Sequence, residues 1–448
     1  MRNTRRARKI ASAVAAATLI ATGLGACGGS DSSADSGALS YWLWDANQKS
    51  AYERCAREFE KKNPDIKVEV TQYGWDDYWS NITNGFVAGT APDVFTDHLG
   101  HYPEFIQQEQ LVALDEHMTI NASDYQKGLA DLWTGPDGHN YGMPKDFDTT
   151  ALFYNKDFTE TAGINEEQMA NLTWNPDDGG NLETIIAKLT VDKNGKHGNE
   201  AGFDKNGVEV YGLALDFGSG DAIGQTQYAP LAGSTGWRNT NKNPWGTKYN
   251  FDDERFQATI AWERKMIEAG FVPTLESTKG QSSADVFAAG KIAIASNGSW
   301  MANQFFGYEK VNVGLAPNPT GPEGRASMYN GLGDSIWAGS KKIDQAAKFI
   351  EFLGSAACQT IVGEDAVVFP AVPAGTEKAI ESWKAKGIDV TPFTTHIDEG
   401  TTFLYPITDH ASKISQIMAP ALDSVLMGKS KVSSLNAAND EINALFDE

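Results

Sequence analysis

Acidic side chains and indole rings fall together at the ends of apolar strand patterns in this sequence. That pairing defines the chemistry available to it. Trp42-Leu43-Trp44-Asp45 closes the first such pattern. Period two sets Trp42 and Trp44 on one side, and Asp45 falls at the carboxyl end, where ligands gather in open α/β sheets. Thr96-Asp97-His98 closes a second strand pattern the same way. Pro144-Lys145-Asp146-Phe147-Asp148-Thr149-Thr150 runs charge into an apolar stretch. There Asp146 and Asp148 share one face and Lys145 takes the other, and such charges are costly to bury unless a ligand or partner satisfies them. Asn297-Gly298-Ser299-Trp300 follows an apolar strand, with a glycine that lets backbone approach closely while Trp300 projects. Gly331-Leu332-Gly333-Asp334 leaves amides open beside an acceptor, and Tyr228 and Trp237 stand in a glycine-rich stretch. Trp75, Phe369 and Tyr405 are further aromatic candidates. Carboxylates along an edge with aromatic planes above and below suit a neutral sugar, which offers hydroxyls and apolar C–H faces.

Each of these residues also has a plain structural reading. Asp45 and Asp97 serve equally as helix N-caps, Trp44 and Trp300 as packed indoles, and Lys145 with its carboxylates as a surface pair. Gly331 and Gly333 fit a hinge with unusual dihedrals. Asp97, His98 and His101 are too loosely spaced to argue for a metal. The paired Asp-Lys-Asn-Gly runs at 192–195 and 204–207 read as turns, because the glycine comes too early for a calcium loop. Cys-x-x-Cys, GxSxG and Walker glycine loops are absent from the sequence. No metal, cofactor or catalytic residue is therefore expected, and any ATP use belongs to a partner.

The elements that position these residues follow from periodicity. Strand patterns at 39–44, 66–72 and 93–96 alternate with helical patterns at 50–63 and 75–85, an order that argues for a parallel sheet covered by helices. Further helices are expected at 256–269, 344–353, 414–427 and 435–446, and a strand at 291–296. Cys55 and Cys358 lie on helical patterns and read as buried free thiols in preference to a disulfide.

Several segments together resemble the family 1 extracellular solute-binding proteins, the sugar-binding lipoproteins of carbohydrate ABC importers. They are Phe59-Glu60-Lys61-Lys62-Asn63-Pro64, Ala91-Pro92-Asp93-Val94-Phe95, Tyr141-Gly142-Met143-Pro144, Ala151-Leu152-Phe153-Tyr154-Asn155-Lys156, Asn297-Gly298-Ser299-Trp300 and the run 346–353. The resemblance implies two α/β lobes of a periplasmic-binding-protein-like fold, each a mostly parallel sheet flanked by helices and joined by hinge strands. Crossings are expected near 144–150, near 330–335 and just beyond Leu353. Lobe 1 would then be 38–147 with 335–353, and lobe 2 would be 148–334 with 354–448. Ligand would sit between the lobes and shift them toward closure, the form a membrane permease reads. The resemblance also implies a ligand carboxylate at Asp148 and a sugar-stacking ring at Trp300.

The leader agrees. Arg2, Arg5, Arg6, Arg8 and Lys9 precede the uncharged run Ile10 to Ala26, which ends in Leu24-Gly25-Ala26-Cys27, similar to a bacterial lipobox. That run is short of the about 20 residues a membrane span needs. Residues 1–26 read as a signal peptide, Cys27 as the lipid-bearing residue, and 27–37 as a flexible linker. The protein would work outside the cytoplasm, anchored to the membrane and monomeric. The chain carries 37 Lys and Arg against 59 Asp and Glu, and the leader holds five of those cations. So acidic a surface repels nucleic acid and anionic headgroups. A secreted glycoside hydrolase and a carrier for a non-sugar solute are the competing readings.

Overall fold

The computed structural model of this protein describes residues 37–215, 222–278 and 281–447. The signal peptide, Cys27 and the linker up to residue 36 lie outside the described residues.

Among the described residues, twelve strands form two sheets. In chain order they are β1 Leu39–Leu43, β2 Val68–Gln72, β3 Val94–Asp97, β4 Met143–Asp148, β5 Thr150–Asn155 and β6 Val191–Asp192. Then come β7 Val208–Ala214, β8 Ile292–Gly298, β9 Val313–Ala316, β10 Ser327–Ile336, β11 Phe369–Pro370 and β12 Thr402–Leu404. The first sheet runs β11-β4-β10-β3-β1-β2 with β12 on β10, and the second runs β6-β7-β8-β5-β9.

Both sheets are mixed, not mostly parallel as expected. The first is parallel at β1–β2, β1–β3 and β10–β12 but antiparallel where β10 meets β3 and β4 and where β11 meets β4. In the second only β7–β8 is parallel. Strands that return from the other lobe enter a sheet in the opposite sense to its βαβ units, and this produces the mixture.

The helices that set up the site are locally encoded. Asp45 caps helix Ala46–Lys62, accepting from Asn47 N–H at 2.9 Å, and Lys61 and Lys62 complement its negative end. Its buried stripe Ala51, Tyr52, Cys55, Ala56 and Phe59 faces the core. Helix Trp75–Ala88 begins with Asp76 and Asp77 in its first turn and ends at Gly89, whose φ of 71° is the left-handed geometry a glycine cap provides.

One passage between the two sheets is a single residue long. β4 ends at Asp148 in the first sheet and β5 begins at Thr150 in the second, so Thr149 alone lies between them. Thr149 Oγ1 donates to Phe393 O at 2.9 Å, and Thr150 N–H donates to Ser327 Oγ at 2.8 Å. The chain passes from the first sheet to the second at 148–150, and 330–335 lies inside β10, which pairs with β3 and β4 of the first sheet, as β11 pairs with β4. The return thus lies between β9 and β10. The stretch just past Leu353 also sides with the first sheet, because helix Ala356–Asp365 packs on helix Ala46–Lys62.

That packing corrects the cysteine reading. Cys55 and Cys358 form a disulfide, with their Cα atoms 5.2 Å apart across the two helices. Their separation of 303 residues in sequence hid a contact that only tertiary packing creates.

Candidate functional site

Between the sheets lies a cavity of about 710 Å³, within the range of small-molecule sites. The end of β1 and the helix cap supply Trp44, Asp45 and Gln48. The start of the next helix supplies Trp75, Asp76 and Asp77. β4 presents Asp146, Phe147 and Asp148, β10 presents Asn330 and Leu332, and His98 follows β3. The opposite lobe contributes Gln225, Thr226, Trp300, Met301 and Gln304.

One wall is aromatic. Trp44 meets Trp75 edge-on at 5.1 Å and stands 5.2 Å from Tyr78 and 5.3 Å from Trp79. Trp300 enters from the other lobe. A side chain at Gly298 would sit 1.9 Å from its ring, so only glycine leaves Trp300 its place.

The polar wall is under-satisfied. Gln48 and Asp146 are 3% and 2% exposed, yet Gln48 Oε1 and Asp146 Oδ2 have no partner. Gly100 N–H donates to His98 Nδ1 at 3.0 Å, and the Asn330 amide stands 2.9 Å from Nε2, with Asn330 Oδ1 unpartnered. Buried polar atoms are nearly always paired; these three side chains line the cavity, and other unpartnered buried atoms, such as Trp133 Nε1 and Glu263 Oε2, lie away from it.

Burial sets the electrostatics. It pushes Asp146 up to about 7; Lys145 opposes the shift, while Asp334 and Asp45 add to it. Burial holds Asp148 well above the carboxylate range, with the Asp146 charge adding and the Gln225 amide opposing. Asp45 is also raised by burial. His98 is lowered to about 3 by burial, with His101 adding, so its ring is neutral at ordinary pH. Gln225 donates to Asp148 Oδ1 at 2.5 Å, joining the lobes across the cavity.

The structure divides the residues singled out from sequence. Trp44, Asp45, His98, Asp146, Asp148 and Trp300 line one cavity. Asp45 also caps its helix, so both of its readings hold.

Lys145 points to the other face of the sheet, as its register requires. Its ammonium donates to Tyr41 Oη at 2.8 Å, lies 3.3 Å from the Tyr52 ring centre and is 3.8 Å from Asp334. Asp334 accepts there from Tyr41 and Thr96 and does not line the cavity. A bulge between Leu332 and Gly333 shifts the register and breaks the face Asp334 would have shared with Leu332.

Asp97 is fully buried, pushed up to about 8 by burial, and accepts from His98 N–H and Ser335 Oγ. Gly331 and Gly333 do not offer amides to the cavity. A side chain at either would strike Leu129 or Trp133, so they admit that packing layer instead. Tyr228 and Trp237 are core residues of the second lobe, 2% and 0% exposed, packed on Phe256. Trp237 Nε1 donates to Asn250 O, and Tyr228 Oη donates to Ala222 O.

Sequence reasoning missed Gln48, Asp76, Asp77, Gln225, Thr226 and Asn330. The signal for Gln48 lay in its place one turn beyond the Asp45 cap. Asn330 had one too, in the strand register it shares with Leu332. Among the described residues no cluster of three or more His, Cys, Asp or Glu is arranged to hold a metal ion, and no helix is long and apolar enough to cross a membrane.

A family model described as bacterial extracellular solute-binding protein matches residues 45–360. The maltodextrin-binding protein MdxE of Bacillus subtilis is 27% identical over 383 residues, 82% of each chain. The crystal structure of M. tuberculosis UspC aligns with a TM-score of 0.71 at 26% identity, covering 91% of this chain and 99% of that one. A substrate-binding protein from Listeria monocytogenes, solved in complex with cycloalternan, aligns with a TM-score of 0.76 at 21% identity, covering 91% and 98%.

Proposed function

Because this chain belongs to the bacterial extracellular solute-binding protein family, we propose that its cavity captures a sugar or short oligosaccharide and delivers it to the membrane permease of an ABC importer. The observation that carries the reading is the set of unpartnered atoms Gln48 Oε1, Asp146 Oδ2 and Asn330 Oδ1 in a cavity walled by Trp44, Trp75 and Trp300. Hydroxyls satisfy such atoms while indoles cover C–H faces. The sugar ligands named for MdxE and the Listeria protein support the same class.

A ligand bridging Asp146 and Asp148 on one side to Trp300 and Gln225 on the other would favour the closed arrangement of the lobes. The protein works as a binding module and not as an enzyme, in keeping with its family. The leader supports lipid anchoring at Cys27, with the folded part outside the cytoplasm as a monomer.

Thermal unfolding against a panel of mono- and oligosaccharides tests the reading. A ligand held at 100 times its dissociation constant should add about 2.7 kcal/mol. The reading fails if no saccharide shifts the transition, or if reducing ends accumulate from any of them. Replacing Cys27 by Ala should release the protein from the membrane.

A further inference from the structure

The two lobes are tied outside the cavity as well as across it. Glu104 stands on the first-lobe helix Tyr102–Gln107, which is anchored by Tyr102 on Trp133 and by Phe105 on Phe95. Its two carboxylate oxygens accept from one residue, Ser412: Oε1 from the backbone N–H at 2.8 Å and Oε2 from Oγ at 2.7 Å. Ser412 lies in the first turn of helix Ala411–Leu426, which packs on helix Glu254–Ala269 of the second lobe. Helix Ala411–Leu426 has no side-chain cap at its own N-terminus. The first N–H groups of a helix lack partners within it, and a carboxylate suits them in both hydrogen bonding and charge. A helix of one lobe is thus capped from the other.

The same short first-lobe helix is held twice more. Asp409 accepts a hydrogen bond from the Gln107 side chain. Trp245 meets Tyr102 edge-on at 5.9 Å, and its Nε1 donates to Thr134 O at 3.1 Å. Inside these ties lies a small cavity of about 170 Å³, with Trp79 and His101 on one side and Ile223, Tyr249 and Ser415 on the other. The seam is bridged there and not filled.

The clasp has a route to the main cavity. One turn beyond Ser412, Ser415 Oγ accepts from Ala222 N–H at 3.4 Å. Ala222 begins the stretch that brings Gln225 and Thr226 to the cavity wall, where Gln225 donates to Asp148 Oδ1 at 2.5 Å. Glu104 itself lines neither cavity.

We propose that Glu104 is a positioning residue: by capping helix Ala411–Leu426 from the opposite lobe, it holds the lobes in this relative position and sets Gln225 and Thr226 opposite Asp148, whatever ligand the cavity takes. Without the clasp the lobes part more often. Apparent affinity then falls by the fraction of time the competent arrangement is lost.

The test reads the distance between the lobes without any sugar, so its outcome is separate from that of the sugar reading. Spin labels are placed at Val87→Cys on the first lobe and Lys310→Cys on the second, both exposed, with the Cys55–Cys358 bridge intact. Electron–electron resonance on the full-length protein gives the distance distribution. Hydrogen bonds to charged groups are the stronger kind, and these are partly solvated. In E104A the longer-distance population should therefore grow about fivefold relative to the shorter one. S412A keeps the backbone arm and should grow it about twofold. The E104A/S412A double variant should match E104A, because both side chains serve one contact. E104Q, whose amide oxygen still accepts, should fall between E104A and the parent. An unchanged distribution in E104A overturns the proposal, and so does a double variant in which the two effects multiply. Should E104A fail to fold, S412A decides, and unchanged distances there overturn the proposal as well.

Discussion

Replacing Asp146 by Asn separates what the cavity needs for binding from what the empty protein needs for stability. The carboxyl is 2% exposed, its Oδ2 has no partner, and burial moves it from 3.8 to about 7. A folded-state value above the unfolded one means that the folded protein holds this proton more tightly. The resulting stabilisation is complete below about pH 4 and is lost as pH rises to about 7. About three units at roughly 1.4 kcal/mol each gives about 4 kcal/mol of penalty above that range. Lys145 keeps Asp334 at 3.8 Å after the change, so its charge is not stranded. The empty Asp146→Asn protein should therefore exceed its parent by about 2–4 kcal/mol at pH 8 and match it at pH 4. For a folded body of roughly 410 residues that is about 2–5 °C in the transition midpoint. Its affinity for sugar should fall about 10- to 100-fold, the worth of a hydrogen bond to a charged group. Denaturant titrations of both proteins at pH 4 and pH 8, paired with calorimetric binding, measure both quantities. A variant less stable than its parent by the same amount at both pH values would refute the reasoning.

Removing the bridge as Cys55→Ala/Cys358→Ala opens a 303-residue separation, and by the loop-entropy relation should lower stability by about 6 kcal/mol at most. Unfolding of the reduced parent and of the variant should coincide, and an unchanged midpoint in both would show that the link adds nothing. Gly298→Ala places a carbon where the Trp300 ring lies; it should weaken sugar binding tenfold or more, and Trp300→Ala should do the same, with the midpoint little changed. Trp237→Phe should behave in the opposite way, losing about 1–3 kcal/mol of stability from a fully buried site while the dissociation constant stays put. A change in affinity there would return Trp237 to the binding wall.

The first lobe was legible because its elements are locally encoded. Helices expected at 50–63 and 75–85 are found at Ala46–Lys62 and Trp75–Ala88, and the strand expected at 93–96 is Val94–Asp97. Period two also placed Asp146 and Asp148 on the cavity side and Lys145 behind it. What escaped depends on distant chain. Asp334 left the cavity face because of a bulge, an irregularity no alternation rule contains. Tyr228 and Trp237 looked exposed because glycines surround them in sequence, but Phe256 covers them from a helix further on. The glycines of β10 seemed to await a ligand when they were making room for Leu129 and Trp133. Helices Pro373–Ala385 and Thr391–Asp398 each carry a proline in the first turn and were not foreseen.

Thr149 acts as an axle. Asp148 is its neighbour in the chain. The turn leading into Trp300 is pinned to it as well, since Ser299 N–H donates to Thr149 O at 3.0 Å and Gly298 pairs with Thr150. Were the lobes to turn about it, both groups would be displaced least and form a fixed seat, whereas Trp75, Asp76 and Asp77, further from it, would move more. A guest can be inspected at the seat while the jaws are still apart. The distant lip decides only how long it stays.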